Sequence, residues 1–287
     1  MGRVAIITDS ASCLPPTLRE RYAIETVPLH YHFGERSYAD NVSLTADEFY
    51  ALLEASRRLP TTASPGPGVF LEAFRQAHYR GAEEMLCIVT GSTLTTTYGV
   101  ACQGAELAQQ ELPDAHIRVL DSRSAAASLG FVVLAAARTA DCGGTLDDAI
   151  AAAQDLVPRV HMIGMLDTLD YLAKGGRVPR LTAWLSSVIQ MKPLFGFYDS
   201  RVSRLGAVRT RRRALTRLLH LMRQRLSPDK PLHVAVFHAR SLPEAEQLAH
   251  QVEQEYQPVE LYIAEFSQVM SIHSGPGLVG LAFYNEP

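Results

Sequence analysis

The chain has 287 residues, a length that accommodates about two domains of ordinary size. Hydrophobic residues make up 47% and charged residues 20%, which excludes a disordered chain, and a formal net charge of −3 excludes a global field that would recruit nucleic acid or an anionic membrane. Four scattered cysteines (Cys13, Cys87, Cys102, Cys142) exclude a zinc ribbon and a disulfide framework, and no run reads as a signal peptide or membrane span, so the expected compartment is cytoplasmic.

In chain order, residues 4–8, 25–31, 85–90 and 117–120 predict strands, and residues 46–57, 67–80, 97–111 and 124–140 predict helices. This alternation predicts a largely parallel sheet flanked by helices. Residues 125–140 are apolar almost all round, as in a helix buried between layers. Past residue 160 the pattern changes. A strand at 160–166 precedes a short helix at 168–174 that ends at Gly175-Gly176, and residues 193–198 and 201–208 predict an antiparallel hairpin. Helices at 211–226 and 243–256 and strands at 232–238, 260–266 and 278–284 complete the chain. The expected organisation is an α/β domain over 1–159 and an α+β domain over 160–287, packed closely.

Three polar clusters stand out. Residues 60–68 place Thr61, Thr62 and Ser64 in a Pro/Gly-rich loop before a helix, where free backbone N–H groups favour an anion. Residues 90–98 place five or more hydroxyls, Ser92, Thr95 and Thr96 among them, at the carboxyl end of a predicted strand, where open α/β sheets gather ligands. The third, His273-Ser274-Gly275-Pro276-Gly277, predicts a loop before the last strand, with His273 and the loop's backbone N–H groups as donors to an oxyanion. Helix caps and solvated loops are the plain alternative for each.

Residues 209–225 hold seven arginines and no acidic residue, usually the mark of a solvated helix face. Histidine spacing suggests no metal site. Ser92 or Thr95 with His273 and Asp9 suggests a hydrolase triad on paper, but no serine lies in a G-x-S-x-G elbow, and phosphate-loop, dinucleotide and kinase signatures are absent. The polar groups suit holding a carboxylate or phosphate, with no nucleophile–base pair. That is the pattern of a binder with no catalytic residue.

Taken together, the segments resemble the DegV family of bacterial fatty-acid-binding proteins over essentially the whole chain. The resemblance runs through residues 4–12, Val27-Pro28-Leu29, Thr61-Thr62-Ala63-Ser64-Pro65 (similar to the family's T-S-Q-P), Leu94-Thr95-Thr96-Thr97-Tyr98 (similar to L-S-G-T-Y), residues 169–177, Met191-Lys192-Pro193-Leu194, Val208-Arg209-Thr210 and residues 273–281. It implies two domains with a ligand tunnel between them and one long-chain fatty acid as ligand, without a cofactor. It further implies that Thr62, Thr95 and His273 hold the carboxylate, helped by the backbone N–H of Thr96, with Ser92 and Gly275 as secondary candidates. A separate fatty acid kinase would phosphorylate the presented acid for phospholipid synthesis, with transient membrane or acyltransferase contact, and Arg177 and Arg209 would meet the partner or the phosphate. The chain departs from the family wording twice. Thr95-Thr96 replaces Ser-Gly, and Ala63-Ser64 replaces Ser-Gln, which removes one polar side chain near the head group. The competing functions are a lipid hydrolase and a nucleic-acid binder using residues 209–225.

Overall fold

The computed structural model describes residues 4–56, 58–176, 190–198 and 201–287. From the N-terminus the elements are β1 (Ala5–Asp9), α1 (Pro16–Arg21), β2 (Glu25–Val27), β3 (His30–Phe33), β4 (Arg36–Ala39), α2 (Ala46–Ala55), β5 (Thr61–Ala63), α3 (Pro67–Tyr79), β6 (Glu84–Val89), α4 (Thr97–Glu111), β7 (His116–Asp121), α5 (Ala126–Asp141) and α6 (Leu146–Leu156). There follow β8 (His161–Met165), α7 (Asp170–Gly175), β9 (Lys192–Tyr198), β10 (Arg201–Val208), α8 (Arg211–Arg223), β11 (Leu232–His238), α9 (Leu242–Tyr256), β12 (Glu260–Glu265), α10 (Gln268–Ser274) and β13 (Val279–Asn285). They form two compact units, Met1–Leu44 with Thr62–Pro158, and Thr45–Thr61 with Arg159–Pro287.

The first unit carries a four-stranded sheet in the order β2-β1-β6-β7, parallel at every pairing. Period-two alternation sends Ile7, Met85, Cys87 and Val89 to one face, where they pack on Phe70 and Phe74 of α3 and Ala101 and Ala108 of α4. Helix α5 packs against β1 and β6, and Leu129, Phe131, Val132, Val133 and Leu134 are all buried, as an apolar circumference requires. The strand expected over 25–31 is two strands. Pro28 has no N–H to donate, β2 ends at Val27, and β3 joins a separate sheet in the order β4-β3-β5. Helix α6, not expected from periodicity, starts at a capping box formed by Thr145 and Asp148.

The second unit carries a six-stranded sheet in the order β10-β9-β8-β13-β11-β12. Only β11 and β12 run parallel; β9 and β10 form the expected antiparallel hairpin. One sheet face, including Ile163, Val234, Val236 and Leu281, is covered by Leu215, Leu218 and Met222 of α8 and Leu248 and Val252 of α9. Helix α2 belongs to this unit although it precedes most of the first in sequence, an excursion that a single boundary near residue 160 does not contain. Its buried Tyr50 explains the grouping, since the Tyr50 hydroxyl lies 2.9 Å from Ser271 Oγ of α10 and the Arg240 guanidinium sits 5.3 Å from the Tyr50 ring centre.

Candidate functional site

Parallel strands release their chains at one edge, so the turns after β1 and β6 are neighbours. A buried carboxylate joins them. Asp9 Oδ1 accepts from Ala11 N and from Thr90 Oγ1, each at 2.9 Å, and Oδ2 accepts from Thr90 N at 2.7 Å. Burial pushes the Asp9 carboxyl up to about 6, with the hydrogen bonds from Thr90 and Ala11 opposing it. Its neighbour Ser10 extends the scaffold, donating to Asp40 Oδ2 at 2.6 Å and accepting from Leu29 N at 3.0 Å. The acceptors of Asp9 are thus engaged within its own unit in organising turns.

The turn that begins at Thr90 reaches the segment that holds Thr62. Ser64 Oγ lies 3.1 Å from Thr95 Oγ1, 3.0 Å from Thr96 Oγ1 and 2.9 Å from Thr97 Oγ1. Thr95 and Thr97 hydroxyls are 2.8 Å apart, and Thr97 N donates to Thr95 Oγ1 at 3.3 Å. Thr96 occupies the N-cap of α4 but makes no capping bond with its side chain. Capping alone therefore does not account for these hydroxyls. The segment expected as a loop over 60–68 includes β5, which carries Thr62, half-buried, into the β4-β3-β5 sheet. Ser64, half of the Ala63-Ser64 departure, keeps a hydroxyl there, and it is the centre of the cluster. Ser92 is exposed, with its N–H donating to Asp121 Oδ1 at 3.1 Å.

In the second unit, His273 is helical rather than in a loop. It is the sixth residue of α10, whose first turn is capped by Ser267 Oγ accepting from Met270 N at 3.3 Å. Helices α7 and α10 pack together. A Cβ on Gly175 would lie 2.8 Å from His273 Nδ1, and one on Gly275 would lie 2.3 Å from Tyr171 Cδ2. Gly275 also adopts φ +73°, a conformation closed to ordinary side chains. Its N–H donates to Ser271 O at 2.8 Å, closing the helix.

Arg211, at the start of α8, holds the segment after Gly275. Its Nη1 donates to Gly277 O at 2.9 Å and Asp167 Oδ1 at 3.1 Å, Nε donates to Glu244 Oε1 at 2.7 Å, and Nη2 donates to Ser241 Oγ at 3.3 Å. Lys192 Nζ adds a 2.5 Å bond to Asp167 Oδ1. Burial works against the charged Asp167, but Lys192 and Arg211 together hold its carboxyl below the ordinary range. Arg211 escaped the sequence reading because it lies inside an arginine run. Elsewhere that run is a solvent face, with Arg212, Arg213, Arg217 and Arg223 exposed while Ala214, Leu215, Leu218 and Met222 are buried. Arg209 is exposed just beyond β10; Arg177 lies outside the described residues.

Among the described residues, no group of three or more His, Cys, Asp or Glu side chains could hold a metal ion, and no helix is long and apolar enough to cross a membrane. The profile of the DegV family, described as a family of uncharacterised proteins, matches residues 3–286. The chain belongs to the DegV family. A DegV domain-containing protein of Streptomyces coelicolor is 33% identical over 97% of this chain and 97% of its own. A DegV family protein of Thermus thermophilus, whose structure is described as showing fatty acid binding, is 27% identical with a TM-score of 0.88, covering 99% of this chain and 100% of that one. DegV of Bacillus subtilis, described as a fatty acid binding protein, is 26% identical with a TM-score of 0.86, covering 100% of both chains. The mixed α/β architecture, a helix-flanked parallel sheet plus a separate sheet domain, is that of these DegV structures.

Proposed function

We propose that this chain binds one long-chain fatty acid and serves as a cytoplasmic, non-catalytic acyl carrier that presents the acid to a separate ATP-dependent fatty acid kinase. The observation that carries the binding reading is the full-length likeness, at 27% identity, to a DegV protein described as binding fatty acid. The hydroxyls of Thr62 and Thr95, the backbone N–H of Thr96 and the imidazole of His273 are the proposed donors to the carboxylate, and they supply polar groups of the kind a buried carboxylate needs. The alkyl chain would contribute most of the affinity, at about 0.8 kcal/mol per buried CH₂. A hydrolase reading has less support, since the Asp9 carboxylate accepts from Thr90 and Ala11 and is not free to orient a base. For nucleic acid, the exposed arginines of α8 are the expected polar face of an amphipathic helix.

The first test is native mass spectrometry followed by denaturing extraction of freshly purified protein. A stoichiometric long-chain acid is expected; its absence, with no binding of added palmitate, overturns the reading. For the head group, Thr62→Ala and Thr95→Ala are expected to weaken palmitate about tenfold, and His273→Ala up to about a hundredfold, as for donors lost from a desolvated carboxylate. Unchanged affinity in all three folded variants removes the carboxylate assignment. For the carrier role, Arg209→Ala is expected to retain palmitate and fail in a coupled kinase assay, because an arginine fork suits a phosphate or acidic partner. Normal coupling by this variant counts against that role for Arg209.

A further inference from the structure

The hydroxyl cluster of the first unit closes on itself. Ser64 lies within 3.1 Å of the Thr95, Thr96 and Thr97 hydroxyls, and Thr95 lies 2.8 Å from Thr97. Each hydroxyl has one proton to donate and two lone pairs to accept with. Four hydroxyls therefore bring four protons to four mutual hydrogen bonds, and none is left over. Ser64 takes part in three of the four, so it donates once and accepts twice, which is its full capacity. The ring is consistent at Thr95 as well. Its oxygen accepts from Thr97 N at 3.3 Å and from one hydroxyl, while its own proton goes to another. The contact between Ser64 and Thr96 joins the two residue pairs, Ala63-Ser64 and Thr95-Thr96, at which this chain departs from the wording T-S-Q-P and L-S-G-T-Y. A hydroxyl on one side of the contact has its counterpart hydroxyl on the other.

We propose that Ser64 is a specificity-determining residue of the head-group site: it holds the Thr95–Thr97 hydroxyls in a closed ring, and an anionic head group binds by taking over a hydroxyl proton that the ring otherwise engages. The proposal rests on the fatty-acid-binding reading above. A carboxylate has the means to open the ring, since a hydrogen bond to a charged acceptor is roughly twice as strong as the neutral bond it replaces. Removing the Ser64 hydroxyl leaves three protons and one remaining bond, between Thr95 and Thr97. Two protons then face the ligand at no cost to the ring.

The test compares the wild-type chain, Ser64→Ala and Ser64→Thr in competition binding of palmitate and of pentadecane, which has a similar chain and no acceptor. Ser64→Ala is expected to bind palmitate about two- to tenfold more tightly, the worth of one neutral hydrogen bond. Pentadecane affinity stays unchanged, and Ser64→Thr stays at the wild-type value for both. Palmitate affinity that is unchanged or weaker in folded Ser64→Ala overturns the proposal, and an equal shift for both ligands assigns Ser64 a purely structural role. A second readout addresses the ring itself. Three-bond couplings are expected to give one χ1 rotamer for Thr96, whose hydroxyl meets the ring only through Ser64, in the wild type and averaging in Ser64→Ala; a fixed Thr96 rotamer in both overturns it. If the wild type binds no long-chain acid, the functional reading fails separately, and acetate titration followed through the Thr95–Thr97 amide shifts then decides the role of Ser64.

Discussion

The segment around Ser64 and Thr95–Thr97 in the first unit and the segment around His273 in the second are held in place by different physics. The first is positioned by hydrogen bonds among neutral hydroxyls and by the buried Asp9 carboxylate beneath Thr90. The second is positioned by volume, with Tyr171 against Gly275 and His273 against Gly175, and by the Arg211 guanidinium on Gly277 and Asp167. Polar substitutions of equal size should therefore disturb the first, and added methyl groups or altered charge geometry the second.

The largest effect is expected at Gly275. Gly275→Ala adds a Cβ 2.3 Å from the Tyr171 ring at a backbone angle of +73°, and steric overlap and backbone strain together should cost roughly 2–5 kcal/mol. Urea denaturation measures it, and a loss below about 1 kcal/mol contradicts the volume account. The double variant Gly275→Ala, Tyr171→Ala should recover part of the loss if the clash is the cause.

Asp9 gives the next effect, as a dependence on pH. Its carboxyl is raised from 3.8 to about 6 by burial, so the folded chain keeps this proton where the unfolded chain has lost it. The resulting stabilisation is fully present below pH 3.8 and is lost as pH rises through about 6, a change of about 3 kcal/mol at 1.36 kcal/mol per unit. Asp9→Asn should remove this part of the slope. At neutral pH it should also be destabilised by about 1–3 kcal/mol, because either amide orientation turns NH₂ toward a backbone N–H, of Thr90 or of Ala11. Identical slopes for wild type and variant between pH 4 and 7 would show that Asp9 does not titrate in this range.

Arg211→Lys tests the guanidinium on the other side of the comparison. Charge is conserved, but one ammonium does not reach Gly277 O, Asp167, Glu244 and Ser241 together, and a loss of about 1–2 kcal/mol is expected in chemical denaturation. Full stability in the lysine variant would mean that charge alone suffices. The smallest effect belongs to Ser92→Ala. Its side chain is exposed, so stability should move by less than about 0.5 kcal/mol and palmitate affinity should stay the same. Loss of an ester-hydrolysing activity in this variant would revive the hydrolase reading.

Much of this protein follows from local pattern. The apolar runs of β1, β6 and β11, the periodicity of α3, α4 and α9, and the antiparallel strands β9 and β10 are encoded within short windows, where burial on one face or both dictates the alternation. The hydroxyl-rich turn beyond β6 is equally legible, since it follows a buried strand of a parallel sheet. Other features depend on partners far along the chain. Pro28 splits a strand because its second half has a different sheet to join; α2 groups with the second unit because Tyr50 finds Ser271; His273 is helical because α7 presents glycine and tyrosine surfaces to α10. The sequence alone determined the strands of the four- and six-stranded sheets, most of the helices that flank them and the family, because each rests on short-range periodicity or on ordered segments. Only the tertiary structure decided that Asp9 is a scaffold, that Ser64 closes the hydroxyl ring and that Arg211 clamps the His273 segment. In each case one side chain meets groups brought together by folding, and a hydrogen bond of about 3 Å leaves no trace in residue spacing.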